Sequence, residues 1–284
     1  MESDMIKQRV QQHFGAAAQS YVTSASHARG DDLARMVALA QPQGHEDVLD
    51  IATGGGHTAL AFASHVHSVV ATDLTPAMLA AAEAFVRGQG AANVRFELAD
   101  AEALPFGDAS FDMVTTRIAP HHFPNPAHYV REVARVLRPG GQFVLNDNMA
   151  PEDAELDAFM NRFEQWRDPS HVRAYRLSEW HGWIEAAGLV LTHADPLATK
   201  SFAFGPWVER MQMPAAERAA LEQWLAAAPE ACHRAFHMRV ADGRIESIAT
   251  MYAILVACSL RLLSSAAATR YKLPGPPAHP PACR

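Results

Sequence analysis

Short apolar runs alternate with helical patterns between residues 47 and 148. Five runs have the length and composition of buried strands: DVLDIA (47–52), SVVATD (68–73), VRFELA (94–99), FDMVTT (111–116) and QFVLND (142–147). Between them, Thr75-Pro76 and Asn125-Pro126 each cap and open a segment with apolar residues at helical spacing. Strands that alternate with crossover helices form a parallel sheet with helices on both faces. The pattern therefore predicts an α/β, doubly wound, Rossmann-like core over 45–150.

The segments on either side of this core have other patterns. Residues 5–40 predict an N-terminal helical cap within 1–44, with Asp31 as the cap of one helix. Residues 151–240 are predicted to be a helical insertion that serves as a substrate lid. The pattern is helical over 152–187 and 214–238, with a strand at 189–194. A final strand at 244–257 follows the Asp242-Gly243 turn within 241–260. Residues 261–284 are a C-terminal tail. Its prolines predict disorder from residue 272 onward.

Composition narrows the range of partners. The net charge of −7 argues against a nucleic-acid partner, which requires a positive surface. Cys232, Cys258 and Cys283 are too few and too scattered for a disulfide framework or a zinc site. The polar N-terminus lacks a signal-peptide core, and the longest apolar run (251–260) is too short to span a bilayer. We therefore expect a cytoplasmic protein that binds no metal, no membrane and no nucleic acid. A homodimer is compatible with the sequence.

A glycine-rich loop follows the first predicted strand in the sequence DIATGGGHT (50–58). Glycine lets the backbone turn tightly and approach a ligand closely. The spacing Gly54-x-Gly56-x-x-Ala59 also satisfies a dinucleotide fingerprint, and such a match alone is weak. A tight turn without any ligand is a further interpretation of the same residues.

Carboxylates follow three successive predicted strands. Asp73 ends the second strand, at the edge where open α/β sheets bind ligands, and could accept both hydroxyls of a ribose. Asp100 follows the third strand and could accept from an adenine amino group. Alternatively, Asp73 serves the turn at Thr75, and Asp100 initiates an Asx turn. Asp50 would repel a pyrophosphate but not a cationic cofactor, so the three acids together favour S-adenosylmethionine (SAM) over NAD.

The motifs VLDIATGGGHT, VVATDLTPAML, DAEALPFGDASFDMV and VLRPGG occur in this order between about 45 and 148. Together they resemble the class I SAM-dependent methyltransferases, in the type 11 branch that includes the ubiquinone and menaquinone C-methyltransferases. The resemblance implies a mostly parallel seven-stranded sheet with a terminal antiparallel strand. It also implies SAM as cofactor, with the first motif around its methionine part, Asp73 at its ribose and Asp100 at its adenine. Where that family usually has glycine, this chain has Ala52.

The resemblance implies these cofactor-binding residues: Asp50, Ala52, Thr53, Gly54, Gly56, Asp73, Leu74, Asp100, Ala101 and Arg117. The candidate catalytic base is His122 or His121, just beyond the fourth strand, with His122 preferred because Phe123 could desolvate it. Asp147 is a second candidate or a residue that orients the base. Alternatively, the two histidines only pack and cap.

Four more residues are candidates for the substrate pocket: Tyr21, His171, Arg173 and Trp180. Tryptophans and tyrosines of 166–207 could line an aromatic pocket, although such residues more often belong to the core. The sequence therefore predicts a methyltransferase that acts on O, N, S or activated C of a small, ring-containing molecule. A SAM-binding sensor without turnover and an NAD-dependent oxidoreductase are the alternatives.

Overall fold

The structure, a computed structural model, describes residues 2–23, 31–195 and 198–260, except the side chains of 16–17 and 19–23. The side chain of Tyr21, Cys283 and the tail 261–284 therefore lie outside the described residues. The helices are α1 (Glu2–Thr23), α2 (Asp31–Ala40), α3 (His57–Ala63), α4 (Pro76–Gly88), α5 (Pro126–Val136), α6 (Ala154–Arg167), α7 (Leu177–Ala186), α8 (Phe204–Glu209), α9 (Ala215–Ala226) and α10 (Glu230–Ala235). The strands are β1 (Asp47–Ile51), β2 (Ser68–Asp73), β3 (Val94–Leu98), β4 (Phe111–Arg117), β5 (Leu137–Ala150), β6 (Tyr175–Arg176), β7 (Leu189–Ala194), β8 (Ala198–Ala203), β9 (Arg239–Ala241) and β10 (Arg244–Ser259).

One sheet runs through the described chain in the order β3-β2-β1-β4-β5-β10-β7. The pairs among β3, β2, β1, β4 and β5 are parallel. Strand β10 lies antiparallel between β5 and β7. The Rossmann-like parallel core and the late strands at 189–194 and 244–257 are therefore confirmed.

The sheet carries apolar layers on both faces. Leu49 and Val114 point to one face, where they join the cluster that contains Val133 of α5. Their chain neighbours Val48 and Met113 belong to the cluster on the opposite face, with α2 and α3. This alternation follows from the period of two along a strand, and it buries all of β1 and β4 except Asp47 and Asp112, which are partly exposed.

The helix α5 shows how local sequence fixes an element. Asn125 caps it, because its side-chain oxygen accepts a hydrogen bond from the His128 backbone N–H at 3.0 Å. Pro126 occupies the first turn, where its missing N–H costs nothing. The buried residues Tyr129, Val130, Val133 and Val136 form the stripe that packs on the sheet.

The segment 151–240 differs from its predicted form. Besides the strand at 189–194 it contributes β6, β8 and β9, so the described sheet has ten strands. Seven of them form the main path, while the other three pair at the sides of β5 and β10. The helical pattern at 214–238 is divided between α9 and α10, because Pro229 precedes the second helix. Helix α2 begins at Asp31, which is its first residue rather than its cap.

None of the described helices combines the length and the apolar composition that crossing a membrane would require.

Candidate functional site

A cleft opens at the carboxyl ends of the parallel strands, where the glycine-rich loop leaves β1. Asp73, the last residue of β2, ties this loop to the next one. Its Oδ2 accepts a hydrogen bond from the Gly54 N–H at 3.0 Å, and its Oδ1 accepts one from the Thr75 N–H at 2.8 Å. Thr75 itself makes no side-chain cap bond to α4. The alternative in which Asp73 serves the turn at Thr75 is therefore part of its role, and both carboxylate oxygens retain lone pairs that face the cleft.

Two residues of the cleft wall have strained backbones. Ala52 (φ +54°) and Ile118 (φ +53°) both lie in the left-handed region, which is uncommon for alanine and an outlier for a β-branched residue. Both residues line the cleft. Strain of this kind persists where the surrounding structure holds it, often at functional sites. A glycine at position 52, as the resemblance implies for the family, would adopt this conformation without strain.

Asp50 lies beneath the loop and is almost fully buried, with 1% of its surface exposed. Its Oδ1 accepts a hydrogen bond from the Thr115 hydroxyl at 2.7 Å, whereas its Oδ2 has no donor in the described structure. Burial raises the pKa of Asp50 to about 6, against the hydrogen bond from Thr115 that favours the charged form. A buried carboxylate with an unpaired oxygen is the group that a cationic ligand above it would stabilise.

Helix α1 covers the cleft. The Lys7 ammonium lies 2.6 Å from Asp100 Oδ2 and 2.8 Å from Glu102 Oε2, and Gln11 Nε2 donates to the Leu74 carbonyl at 2.9 Å. Val10 and Phe14 of the same helix also line the cleft. The sequence analysis missed these residues, although their spacing of i, i+3, i+4 and i+7 is the signal of one helix face.

Eight of the ten predicted cofactor residues line this cleft: Ala52, Thr53, Gly54, Asp73, Leu74, Asp100, Ala101 and Arg117. Asp50 lies below the cleft rather than in its wall. Gly56 is not in the wall either. It adopts φ +83°, and a Cβ at this position would come within 2.8 Å of Val86 Cγ2. Gly56 lets the loop pack closely against α4, and its role as a cofactor contact stays a prediction.

Arg117, the last residue of β4, pairs with an acid from another part of the chain. Its Nε lies 2.6 Å from Asp32 Oδ2. The Asn146 side chain donates to the same oxygen at 2.8 Å. Asp32 therefore links α2 to β4 and β5 at the edge of the cleft.

The two histidines after β4 lie at the inner end of the cleft, and each has its own partner. His121 Nδ1 lies 2.7 Å from Asp147 Oδ1, and His122 Nδ1 lies 2.9 Å from the Ser170 carbonyl oxygen. Burial alone would lower the pKa of His121, but the Asp147 carboxylate raises it above its ordinary value. Burial and the neighbouring His121 hold the pKa of His122 well below its ordinary value. His122 is therefore neutral at physiological pH, while His121 can carry a proton.

A second cavity, here called the polar chamber, adjoins the cleft. The two share Phe14, Ile118 and His122 in their walls. The rest of the chamber wall comes from the turn after β4, from β5, β8 and β10, and from α6 and α8 with the residues that follow them. It includes His121, Asn148, Arg167, Lys200, Trp207 and Tyr252. The sequence analysis missed Asn148 and Lys200, because their proximity arises from the sheet and not from any local motif. Within the described residues, no group of three or more His, Cys, Asp or Glu side chains is placed to hold a metal ion.

The predicted substrate residues are only partly near these cavities. His171 is buried with its ring centroid 5.3 Å from that of His121, but its Nε2 faces Asn161 at 3.1 Å and it lines neither cavity. Arg173 pairs with Asp157 and Glu179 away from both cavities.

Trp180 is fully buried in the core beside Tyr175 and Trp183. Neither Arg173 nor Trp180 lines the cleft or the chamber, and their role in substrate binding stays a prediction. Of the aromatic residues considered, Trp207 lines the chamber.

The charges of the cleft fit a cationic cofactor. Asp73, Asp100 and Glu102 stand in its wall, with Asp50 beneath. The lysine and arginine of the described wall, Lys7 and Arg117, are each paired with a carboxylate. A pyrophosphate would therefore meet acids and no available cation, whereas SAM carries a sulfonium and an ammonium. The roles that the resemblance implies, Asp73 at the ribose hydroxyls and Asp100 at the adenine amino group, stay predictions.

Comparisons with known proteins agree with this geometry. A sequence profile of the methyltransferase domain family matches residues 49–145. The chain is 42% identical over 202 residues to the uncharacterized methyltransferase YcgJ of Bacillus subtilis, which covers 71% of this chain and 79% of that protein. The crystal structure of YcgJ superposes with a TM-score of 0.79, over 81% of this chain and 99% of the other. The 27-O-demethylrifamycin SV methyltransferase of Amycolatopsis mediterranei is 35% identical over 172 residues, 59% of this chain and 61% of its own length.

Proposed function

Because the chain belongs to the SAM-dependent methyltransferase family, we propose that it methylates a small molecule that binds in the polar chamber. The observation that carries this proposal is the common wall of cleft and chamber, formed by Phe14, Ile118 and His122. A molecule in the chamber would meet the cofactor across this wall. The 27-O-demethylrifamycin SV methyltransferase, one of the relatives, is named for a small-molecule acceptor, and the net charge of −7 disfavours nucleic acid.

SAM, when bound, supplies a methyl group on a positively charged sulfur, which is an excellent leaving group. The methyl carbon then forms its new bond to the acceptor atom as the bond to sulfur breaks, and sulfur keeps that electron pair. Much of the catalysis is therefore alignment of the acceptor. If the acceptor atom carries a proton, a base on this chain must receive it.

We assign the role of base to His121 and the role of orienting residue to Asp147. A carboxylate on Nδ1 fixes the ring and favours the tautomer with the proton on that nitrogen, so Nε2 is the free acceptor. His121 lines the chamber in which the acceptor would bind. Asp147 also raises the pKa of His121 toward the range in which a base is efficient.

His122, the base preferred from sequence, fits a different role. Its low pKa makes it a weak base, and its Nδ1 is occupied by the Ser170 carbonyl. Because it lines both cavities, a neutral His122 would help to position the acceptor between them. The assignment of roles thus reverses the sequence-based order of the two histidines.

Transfer of a labelled methyl group tests the proposal. The protein would be incubated with methyl-labelled SAM and a bacterial extract, and the products separated into low-mass and macromolecular fractions. We expect the label in the low-mass fraction and a matching release of S-adenosylhomocysteine (SAH). Tight SAM binding without any label transfer would instead indicate a sensor, and label in protein or nucleic acid would contradict the small-molecule acceptor.

A further inference from the structure

The polar chamber carries an excess of cationic side chains. Three cations, Arg167, Lys200 and Arg210, and two carboxylates, Glu164 and Asp168, line it among the described residues. Arg167 is matched, because its Nη2 lies 2.7 Å from Glu164 Oε2. Lys200 and Arg210 lie on the side of the chamber formed by β8 and the turn after α8.

Asp168 is also satisfied within the protein. Its Oδ1 accepts hydrogen bonds from the Ser170 hydroxyl at 2.5 Å and from the Ser170 N–H at 2.9 Å. Asp168 therefore already has hydrogen-bond partners within the wall of the chamber.

Lys200 is the unusual group of the chamber. It is half-buried, and no carboxylate of the described residues lies within 4.0 Å of its ammonium. Two aromatic rings lie near the ammonium, with Nζ 5.8 Å from the Tyr252 ring centroid and 5.9 Å from the Phe202 ring centroid. Burial lowers the pKa of Lys200, and the charges of Arg117 and Arg210 lower it further, although Asp32 opposes this. An ammonium held away from water in this way is stabilised when an anion binds beside it.

Aromatic surface surrounds this ammonium. Phe202, Trp207 and Tyr252 line the chamber, and Arg210 Cζ lies 5.7 Å from the Phe202 centroid. Flat apolar walls favour a flat ring, and rings stack or meet edge to face within such walls. Asn148 adds a buried Oδ1 without a donor, which can accept from a hydroxyl or amine of a bound molecule.

We infer that the polar chamber selects a ring-bearing carboxylate as methyl acceptor, with the carboxylate held by Lys200 and Arg210 and the nucleophilic end directed to His121 and Asn148. This inference rests on the proposed function, since it names the class of its substrate. The same two cations repel an amine that binds as its ammonium. The chamber therefore discriminates by charge before any chemistry occurs.

Binding of three matched probes to the SAH-saturated protein tests this inference without an assay of turnover. Benzoate, benzamide and benzylamine have the same ring and carry an anionic, a neutral and a cationic group. In calorimetry or ligand-observed NMR we expect benzoate to bind about tenfold more tightly than benzamide, equivalent to about 1.4 kcal/mol. Benzylamine should bind most weakly.

Variants of Lys200 and Arg210 then test whether these two side chains cause the preference for benzoate over benzamide. Lys200→Gln should weaken benzoate binding by about tenfold and leave benzamide and SAH unchanged. Arg210→Gln, at an exposed position, should weaken benzoate binding in the same direction. Arg234→Gln serves as the matched control, because its side chain is exposed and pairs only with Glu230 across one helical turn.

Benzoate binding that is absent, no tighter than benzamide binding, or unchanged in both Lys200→Gln and Arg210→Gln would overturn the inference. If Lys200→Gln lowers the melting temperature, Arg210→Gln decides the question. A different failure, no SAH binding by the wild-type protein, would contradict the proposed function itself. SAH binding and label transfer to neutral small molecules, with no preference for acids, would leave that function intact and remove only the inferred acceptor class.

Discussion

Asp147 holds His121 at two points. Its Oδ1 lies 2.7 Å from the ring Nδ1, and its Oδ2 accepts the His121 backbone N–H at 2.9 Å. Both residues are buried, and they come from the end of β5 and the short turn after β4. One carboxylate therefore fixes the ring, its tautomer and the backbone that carries it.

This pairing predicts the pH dependence of turnover. Because Asp147 raises the pKa of His121, the fraction of neutral, active base declines as the pH falls through that raised value. The rate should therefore fall on the acid side, with its midpoint above the ordinary histidine value. Asp147→Asn removes the charge and should move this midpoint to lower pH while it also slows turnover.

The profile of kcat against pH, measured with saturating SAM, checks this prediction. Asp108→Asn, a change of the same kind at a site with 81% exposure, should leave the profile unchanged. An acid limb at the same pH in wild type and Asp147→Asn would show that His121 is not the titrating group.

A second prediction concerns the ribose. Asp73→Asn replaces a charged acceptor of ribose hydroxyls, so SAH binding should weaken by about 1.5–3 kcal/mol, the worth of a hydrogen bond to a charged group. Calorimetric titration with SAH measures this loss directly. The amide oxygen can still accept one loop hydrogen bond, so the variant should fold. An unchanged SAH affinity in a folded Asp73→Asn protein would mean that Asp73 only ties the two loops together.

Gly56 provides a test of packing that is separate from cofactor contact. A Cβ at Gly56 would meet Val86 Cγ2 at 2.8 Å, whereas at Gly90, with a similar φ of +82°, nothing lies within 4 Å. Gly90→Ala should cost about 1–2 kcal/mol of unfolding free energy through backbone strain alone. Gly56→Ala should cost about 1–3 kcal/mol more through overpacking. Urea unfolding of the two variants gives this difference, and equal losses would contradict the close approach of loop and α4.

The ionised carboxylate of Asp50 should lower the stability of the protein without cofactor and strengthen the binding of SAM. Its pKa in the folded state, about 6, exceeds the ordinary 3.8, so the folded protein binds more protons than the unfolded chain between these values. Stability therefore declines as the pH rises from about 4 to above 6, by about 3 kcal/mol in full. Asp50→Asn removes the buried charge. It should stabilise the protein without cofactor at pH above 6, with little gain near pH 4.

Unfolding of wild type and Asp50→Asn at several pH values measures this difference. The same variant should bind SAM more weakly at neutral pH, because the unpaired carboxylate oxygen beneath the loop is lost. A gain in stability that does not depend on pH would show that folding does not raise the pKa of the Asp50 carboxyl.

The parts of the fold that local patterns specify could be predicted. Each parallel strand is a buried apolar run, and Asn125-Pro126 marks the start of α5 by cap chemistry that involves only neighbouring residues. The acids at the strand ends could be placed in one cleft, because the carboxyl ends of parallel strands share one edge. That rule applies to Asp73 and Asp100 wherever the helices pack.

The remaining features depend on contacts between distant segments. Lys7 meets Asp100 across 93 residues, and Arg117 meets Asp32 across 85. Lys200 reaches the chamber because β8 pairs with β10, where Thr250 opposes it. The core position of Trp180 could not be predicted for the same reason, since a tryptophan of the core and one of a pocket have the same local sequence signal.

The turnover of His121→Ala, measured with the acceptor that the labelling experiment identifies, is the most direct test of methyl transfer with His121 as base. With saturating SAM, turnover should fall by about 10²–10⁴, the usual contribution of general-base catalysis. SAH affinity should stay within about twofold, because the cofactor residues are untouched. His65→Ala, at an exposed histidine, is the matched control. Full turnover in a folded His121→Ala protein would show that His121 is not the base and that catalysis depends on alignment of the acceptor alone.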